Sequence, residues 1–441
     1  MSLLRSSPLS RPLVSRWAVG AWLVLLATLP LGLKSYRGNS RIGLFVWDPG
    51  SKMGINYRAY HHAAELALDG KVFYDVAPPD TFDWAVYLYP PVTVIFYYPF
   101  TLLEWTTGYA ILTVLSVLAA VAATALIVDY VESFGPTLGW VDIALVLAAF
   151  LLSTHAFGTI YFGNINMFLA LAFVLGFWAL HQGRQELAGV IIGLTALFKV
   201  FPAIIGLWFL RQRQWRAVGA AIATGIGGLL AGLALFGFDT TKYYFTDVLT
   251  GRAGSDQFVG GYPVDGTYYV TIQQPLSHYL WELWPSAPYE AVVVLAILVC
   301  IPVLAYFYRD VTTDVDRLMA IFVTLVVMLV VFTSFRWYLI FLYLPLVALL
   351  YIWREGPGRI LFIAGGLIFS VTESTEGMVE LLNGLPEPLD TLWYSVASAA
   401  VPPLYGLAVM VAACAWYKYR STPGPTDRPT LVTRLRSLRE S

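Results

Sequence analysis

Charged residues are scarce in this chain. They make up 12% of its 441 residues, whereas 58% of the residues are hydrophobic. A soluble domain carries about twice that share of charged residues, so the composition excludes a large soluble domain. Apolar runs long enough to cross about 30 Å of hydrocarbon recur from end to end, which predicts a membrane protein.

Cysteine and metal-binding motifs are also scarce. Cys300 and Cys414 are the two cysteines, and both lie within apolar runs, where a thiol packs as a small hydrophobic side chain. No cluster of metal ligands and no glycine-rich phosphate loop is evident in the sequence. No cofactor is therefore predicted, although a divalent metal bound by aspartate stays open. The net charge of −1 gives no support to a nucleic-acid partner.

The apolar runs predict an all-α polytopic membrane protein. Their number and length indicate about 11–13 transmembrane helices. The candidate spans cover about residues 17–33, 109–129, 141–155, 165–181, 187–210, 216–236, 288–307, 316–333, 337–353, 359–371 and 395–416, with a shorter aromatic element at about 90–104.

Arginine residues are distributed unevenly between the connecting segments. Alternate threading of the spans places the N-terminal arginines, the 211–216 segment and the basic tail at 417–441 on one side, which the positive-inside rule assigns to the cytoplasm. Two long polar segments, 36–88 and 237–287, are then extracytoplasmic loops. Residues 1–416 are expected to form one domain of the plasma membrane with an extracytoplasmic site.

The stretch GINYRAYHHAAELALDGKVFYD, residues 54–75, interrupts the apolar pattern. Tyr57, Tyr60 and His61 recur at helical spacing and predict an amphipathic helix that Gly70 ends. Such a helix either lies at the membrane interface or forms the roof of a substrate site.

Three further motifs interrupt apolar segments. Tyr89 precedes two adjacent prolines, which prevent a continuous helix. Asn164 and Asn166, in GNIN, stand at the outer end of a span, where their amides either complete a helix start or bind sugar hydroxyls. Lys199 lies between apolar residues, three positions before Pro202. An ionisable residue at membrane depth indicates function, and the proline break indicates a cavity.

Arg336 and Tyr338 lie in the stretch FRWYL, at the outer end of two consecutive spans. Arginine forms paired hydrogen bonds with phosphate oxygens. A short turn at the membrane interface would carry the same residue types. Phosphate binding and an interfacial turn are both left open.

In this order the motifs resemble glycosyltransferase family 87, the polyprenyl-phosphate-mannose-dependent mannosyltransferases of GT-C architecture. The matching stretches are NYRAYHHAAELALDGKVFY, YPP, GNIN and KVFP. The resemblance implies a polyprenyl- or dolichyl-phosphate donor that carries mannose or another hexose, and an extracytoplasmic lipid- or protein-linked glycan as acceptor. The matching motifs imply substrate-binding roles for Tyr57, Tyr60, His61, Tyr89, Asn164, Asn166 and Lys199. The second half resembles the family only in topology, and Arg336 and Tyr338 are predicted to bind substrate from their residue types and position.

The sequence departs from the family at its proposed catalytic residue. The family's aspartate stands at the head of the outer helix, where this chain has Asn56. An amide cannot accept a proton at neutral pH, so another carboxylate would have to activate the acceptor. Asp48 is the nearest upstream candidate, and Asp75, Asp80 and Asp83 follow in the same loop. The chain also lacks the histidine that the family tends to carry near FRWYL.

Two other functions fit parts of the pattern. A transporter or flippase of lipid-linked sugars would use Lys199 and the broken helix as a site at the membrane midplane. A non-catalytic relative that binds polyprenyl phosphate is compatible with Asn56. A transferase predicts a cavity open to the outside and to lipid, whereas a transporter predicts a path that reaches both faces.

Overall fold

The structure is a computed structural model that describes residues 52–253, 269–331, 334–354, 356–381 and 384–421. Asp48, the expected span at 17–33 and the tail beyond Ser421 lie outside these residues. The described chain forms seventeen α-helices, numbered here in chain order: α1 (Ile55–Leu68), α2 (Trp105–Glu132), α3 (Trp140–Leu152), α4 (Thr154–Tyr161), α5 (Asn166–His181), α6 (Gln185–Phe198), α7 (Ile205–Arg211), α8 (Trp215–Tyr243), α9 (Leu249–Ala253), α10 (Gln273–Leu283), α11 (Tyr289–Arg309), α12 (Asp314–Val331), α13 (Tyr343–Ile352), α14 (Pro357–Phe369), α15 (Thr375–Leu381), α16 (Leu389–Ala399) and α17 (Pro402–Ser421).

Shorter elements connect these helices. Two strands, β1 (Tyr269–Val270) and β2 (Ser334–Phe335), pair antiparallel, with Tyr269 opposite Phe335. The other short elements are a π-helical turn at Tyr244–Val248 and three 3-10 segments, at Pro91–Leu102, Phe201–Ile204 and Arg336–Leu342.

Several helices have the length and composition of membrane spans. Among the described residues, three qualify singly: α2, α11 and the helical run Trp215–Gly251. The number rises to five if two bent pairs each count as one span, namely α3 with α4, bent by 47°, and α16 with α17, bent by 86°. Six shorter apolar helices accompany them. The predicted all-α polytopic membrane architecture is confirmed.

Two of the expected spans are bent pairs of helices. The span expected at 141–155 is broken at Ser153, whose side chain caps α4 by accepting the Ala156 N–H at 3.3 Å. The span expected at 395–416 is broken just before Pro402, because two adjacent prolines lack the N–H groups that would continue a helix. The sequence analysis placed both spans without predicting either bend.

The segment expected as an outer loop at 237–287 begins within a helix. α8 continues to Tyr243, although Gly237 has a φ of +80° and kinks it. The expected end of this span, at residue 236, therefore coincides with a kink and lies before the helix ends. Helix α10 occupies part of the remaining segment.

Glycines allow helix pairs to pack closely. An ideal Cβ at Gly189 in α6 would lie 2.2 Å from the Ala217 carbonyl oxygen in α8. An ideal Cβ at Gly406 in α17 would lie 2.3 Å from the Phe369 backbone nitrogen in α14. Close backbone approach stabilises helix pairs in lipid, where burial of apolar surface gives little driving force. The first contact positions α6, whose last residue, Phe198, directly precedes Lys199.

Gly108 in α2 is in close contact with α1. Tyr57 of α1 is fully buried, and an ideal Cβ at Gly108 would lie 1.8 Å from its hydroxyl oxygen. That oxygen has no hydrogen-bond partner within the described chain. Tyr57 therefore holds α1 against α2 through van der Waals packing and not through a hydrogen bond.

Replacing Gly108 by alanine should destabilise the protein by about 1–3 kcal/mol, because the added methyl group displaces the Tyr57 ring. The measurement is the thermal unfolding midpoint in detergent. Gly219→Ala is the matched control, since nothing lies within 4 Å of the added Cβ, and it should be neutral or slightly stabilising. Adding Tyr57→Phe should restore part of the loss. Equal midpoints for the two glycine variants would contradict this contact.

Candidate functional site

The N terminus of α1 is fixed to the end of α4 by backbone hydrogen bonds. The Gly54 N–H donates to the Tyr161 carbonyl at 2.8 Å, and the Asn56 N–H donates to the Phe162 carbonyl at 2.9 Å. Gly54 makes this turn with a φ of +67°, a region that favours glycine. The half-buried Asn56 is thus held beside the stretch that leads into GNIN.

Gly163, the first residue of GNIN, lies against α1. Gly163 has a φ of +65°, and an ideal Cβ there would lie 2.7 Å from the Tyr57 Cβ. Glycine is required here by both the backbone conformation and the space. Two motifs that are far apart in the sequence therefore meet at the head of α1.

His61 connects α1 to the aromatic 3-10 segment. Its Nε2 lies 3.1 Å from the carbonyl oxygens of both Phe100 and Leu103, so the ring donates its Nε2–H to the end of that segment. Its Nδ1 lies 3.6 Å from a Glu65 carboxylate oxygen. These contacts anchor the helix, and a role of His61 in substrate binding stays a prediction.

Tyr60 and Tyr89 come together in a cluster of tyrosines. Their hydroxyl oxygens are 2.9 Å apart, and Tyr74 donates its hydroxyl to the Tyr89 carbonyl at 2.8 Å. The Tyr97 ring lies 4.9 Å from the Tyr60 ring, centroid to centroid. The 3-10 segment starts at Pro91, the second proline of YPP, and turns these rings toward α1.

Lys199 lies at the end of α6, where the chain becomes extended with φ −142° and ψ 124°. The residue is only 7% exposed. Its ammonium donates to Asn166 Oδ1 at 2.6 Å and lies 3.7 Å from the centroid of the Tyr338 ring. An amide oxygen and an aromatic face both attract a cation. Three residues predicted from separate motifs therefore meet around one buried charge.

Asn164 and Asn166 have different local roles. Asn164 Oδ1 accepts the Asn166 N–H at 3.2 Å, which is a cap at the start of α5. An ammonium can only donate hydrogen bonds, so the Asn166 oxygen must face Lys199 and its NH₂ group must point elsewhere. That NH₂ group is buried and has no hydrogen-bond partner in the part of the chain that the structure describes. The Asn166 NH₂ group is therefore a hydrogen-bond donor close to the Lys199 ammonium.

Aromatic rings join the lysine to the tyrosine cluster. Phe198, next to Lys199 in the chain, lies 6.3 Å from the Tyr89 ring, and Phe201 lies 5.6 Å from the Tyr338 ring. The aromatic residues on both sides of Lys199 thus connect its site to Tyr89 and to Tyr338, a setting that suits the headgroup of an amphipathic anion.

Arg336 follows β2 and is buried like Lys199, but its described hydrogen bond goes elsewhere. The guanidinium Nη1 donates to the Thr372 carbonyl at 2.6 Å, between α14 and α15. This contact uses one of the donors that a phosphate would need. The phosphate-binding role of Arg336 stays a prediction.

The loop carboxylates lie at the surface. Asp75 accepts a hydrogen bond from the Tyr243 hydroxyl. Asp80 lies within electrostatic range of Arg58. Asp83 is also exposed. Within the described ranges these carboxylates form no group of three metal-ligating side chains.

A second polar group was missed by the sequence analysis. Ser153, His155 and Tyr343 are buried and linked by short contacts, with the Tyr343 hydroxyl 2.6 Å from Ser153 Oγ and 3.2 Å from His155 Nδ1. The available signal was a run of polar residues, STH at 153–155, inside an apolar segment.

The motifs around Lys199 and Tyr89 occur in a stretch that matches a known family. The profile of glycosyltransferase family 87 matches residues 87–333. The chain belongs to this family. The match includes YPP, GNIN and KVFP, and so covers Lys199 and Asn166, whereas Tyr338 lies just beyond it.

Individual relatives are mannosyl- and arabinofuranosyltransferases. The chain is 26% identical over 243 residues to a polyprenol-phosphate-mannose-dependent alpha-(1-2)-phosphatidylinositol pentamannoside mannosyltransferase of Mycobacterium tuberculosis, covering 52% of each chain. It is 24% identical over 251 residues to a polyprenol-phosphate-mannose-dependent alpha-(1-2)-phosphatidylinositol mannoside mannosyltransferase of Mycolicibacterium smegmatis, covering 54% of each. It is 31% identical over 188 residues to an alpha-(1->3)-arabinofuranosyltransferase of M. tuberculosis, covering 42% of each. The chain thus spans about half the length of these relatives.

Proposed function

We propose that this protein is a membrane glycosyltransferase that moves a sugar, mannose or another hexose, from a polyprenyl-phosphate donor to an extracytoplasmic lipid- or protein-linked glycan. The observation that carries the proposal is the buried Lys199 ammonium, which lies on the Tyr338 ring beside the unpartnered Asn166 NH₂ group. Membership of the family and the names of the relatives support the same reaction class.

The proposed role of Lys199 follows from the charge changes in the reaction. The bond between the sugar and the phosphate oxygen breaks, and the polyprenyl phosphate leaves with the electron pair. Its negative charge therefore grows in the transition state, and a fixed cation in a dry site stabilises that charge strongly. The Asn166 NH₂ group adds a neutral donor to a second phosphate oxygen.

The acceptor hydroxyl must lose a proton as it attacks the sugar. Asn56 can orient that hydroxyl through its amide but cannot take the proton. A carboxylate of the 36–88 loop is proposed as the base, with Asp48 as the first candidate. The presence of Asn56 also supports a second candidate function, a non-catalytic relative that binds polyprenyl phosphate.

Lys199→Met should reduce transfer by roughly a hundredfold or more, because the charge that stabilises the leaving phosphate is lost while the side-chain stem is kept. The measurement is transfer from a radiolabelled polyprenyl-phosphate sugar in membranes, with polyprenyl-phosphate binding measured in parallel. Lys71→Met is the matched control, since that side chain is 62% exposed and pairs with Asp69. Full activity of Lys199→Met would refute the phosphate role.

A pair of isosteric substitutions tests whether the donor phosphate binds beside Lys199 and Asn166. Asn166→Asp should abolish donor binding without unfolding the protein, because the new carboxylate pairs with Lys199 and repels phosphate. Asn164→Asp should keep donor binding, since a carboxylate oxygen can accept the same Asn166 N–H. Equal donor affinity in both variants would place the phosphate away from Asn166.

The base is identified by comparing single changes of the loop carboxylates. The variant that lacks the base should transfer roughly a hundredfold to ten-thousandfold more slowly and still bind donor. The variants are Asp48→Asn, Asp75→Asn, Asp80→Asn and Asp83→Asn, with Asn56→Asp alongside them. If no single change slows transfer, a lone loop carboxylate is not the base. If the natural protein binds donor and never transfers, the binding-only function is correct.

The proposed site faces the outside of the plasma membrane, with both termini in the cytoplasm, as the arginine distribution indicates. Lys71→Cys should therefore react with an impermeant thiol reagent in intact cells, whereas Ser421→Cys should react only after lysis. Both positions are exposed, and the native Cys300 and Cys414 are buried, so background labelling should be low. The opposite labelling pattern would reverse the orientation.

A further inference from the structure

Phe82 and Trp84 form a stacked aromatic pair at the surface of the 36–88 segment. Their ring centroids are 5.2 Å apart, and their planes are inclined by 17°. Both side chains are exposed, Phe82 by 37% and Trp84 by 57%. Because Phe82 covers one face of the indole, the exposed area of Trp84 includes its other face. The two rings thus form one contiguous apolar surface.

The position of Lys52 leaves that outer face of the indole open. Its Nζ lies 5.7 Å from the Phe82 centroid and 5.8 Å from the Trp84 centroid. With the two centroids 5.2 Å apart, these distances form a nearly equilateral triangle, so the ammonium lies beside the stack or on its Phe82 side. A cation in this position is attracted to both rings and stabilises the pair. It also places N–H donors at the edge of the stack.

Exposed charges flank the aromatic pair. Lys52, Asp80 and Asp83 are all exposed, and Asp83 stands between Phe82 and Trp84 in the chain. Charged side chains avoid hydrocarbon, so this turn faces water and not lipid tails. The two carboxylates also repel the headgroups of anionic lipids. A contiguous apolar surface of this kind in water suits an uncharged ligand that is partly apolar and partly polar.

The turn that carries the pair is held in place on both sides. Arg58 of α1 donates its Nη2 to the Pro79 carbonyl at 2.8 Å. The Ala85 N–H donates to the Phe82 carbonyl at 2.8 Å, which closes the turn around Trp84. Ala85 itself is buried. A ligand that binds to rings fixed in this way costs little ordering of the protein.

Ala85 connects this turn to the head of α1. With Ile55 and Phe162 it forms a small buried cluster. Ile55 is the first residue of α1, and the next residue, Asn56, donates its backbone N–H to the Phe162 carbonyl at 2.9 Å. Trp84 therefore directly precedes a residue of the cluster that holds Asn56 in place.

Trp337 connects the same cluster to the buried ammonium. It packs against the cluster, and its ring lies 4.9 Å from the Phe162 ring, centroid to centroid. The next residue, Tyr338, carries the Lys199 ammonium on its ring. The turn with the aromatic pair and the proposed donor site are therefore built on one packed cluster.

We propose that the outer face of Trp84, with Phe82 behind it, binds a sugar ring of the acceptor glycan. A hexose carries C–H bonds on the faces of its ring and hydroxyls around the edge. The C–H bonds fit the electron-rich face of the indole, and the hydroxyls can accept hydrogen bonds from Lys52. This inference rests on the proposed transfer reaction. The donor phosphate is proposed at the buried Lys199, so the sugar that reaches these rings from water belongs to the acceptor.

Two substitutions of Trp84 test the stacking. Trp84→Leu keeps an apolar side chain without a flat ring, and should raise the KM for acceptor about tenfold with the KM for donor unchanged. Trp84→Phe keeps a flat ring and should retain most of the acceptor affinity. The thermal unfolding midpoint should change little in either variant, because the side chain is largely exposed. Equal acceptor KM values for the two variants would refute the stacking.

Trp284→Leu is the matched control. Trp284 is 51% exposed, and its indole N–H donates to Ser286 Oγ at 2.8 Å. It lies in the other long segment that is proposed to be extracytoplasmic, so both KM values should stay unchanged. If this substitution raises the acceptor KM as much as Trp84→Leu does, the tryptophans are general anchors at the membrane interface and the proposal is wrong.

A binding measurement separates this inference from the proposed reaction. The probes are methyl mannoside, methyl glucoside and methyl galactoside, which are uncharged and soluble, added to the full-length protein in nanodiscs. In saturation-transfer NMR, saturation of the aromatic protons of the protein should reach the ring C–H protons of at least one glycoside. Trp84→Leu should abolish this transfer, and Trp284→Leu should keep it.

The two proposals then fail in different ways. A Trp84-dependent glycoside signal in a protein that never transfers sugar would uphold the aromatic sugar site and refute the reaction. Sugar transfer by the natural protein without a glycoside signal that depends on Trp84 would uphold the reaction and refute the aromatic sugar site.

Discussion

The positive charge of Lys199 is the constraint on which the candidate site depends. An ammonium removed from water loses hydration free energy that the protein must replace. Asn166 supplies an amide oxygen at 2.6 Å, and the Tyr338 ring supplies an aromatic face at 3.7 Å. These two groups come from different parts of the chain, so α5, the end of α6 and the 3-10 segment at Arg336–Leu342 must meet at one position.

Interruptions of the helices make this meeting possible. The chain is extended at Lys199, turns at Gly163 with a φ of +65°, and leaves β2 directly before Arg336. Breaks of this kind expose backbone groups, which the fold satisfies with side chains such as Asn164. The outer helix α1 then covers the turn through two backbone hydrogen bonds. The polar residues of the site are therefore held by rigid elements.

The region around the Arg336–Leu342 segment contains two kinds of polar chemistry. On one side a cation and an amide donor suit the phosphate of a lipid-linked sugar. On the other, the Ser153 and His155 side chains contact the Tyr343 hydroxyl. Neither group supplies a carboxylate, which is consistent with a base contributed by the 36–88 segment, where Asp48 precedes α1 in the sequence.

The sequence by itself determined the architecture and singled out Lys199, Asn166 and Tyr338 one by one as candidate site residues. Low charge and long apolar runs predict a helical membrane protein, because backbone groups in lipid must bond within their own segment. The order of YPP, GNIN and KVFP indicated the family, and a lysine in an apolar run indicated a functional charge.

Only the tertiary structure decided which partners these residues take. It joined Lys199 to Asn166 and Tyr338, used Asn164 as a cap and His61 as an anchor, and directed Arg336 to the Thr372 carbonyl. It also placed the neighbouring Ser153 and His155 against the hydroxyl of Tyr343, which is distant in the chain. Periodicity reports the face of one helix, whereas hydrogen-bond partners depend on how broken helices cross, which local sequence does not encode.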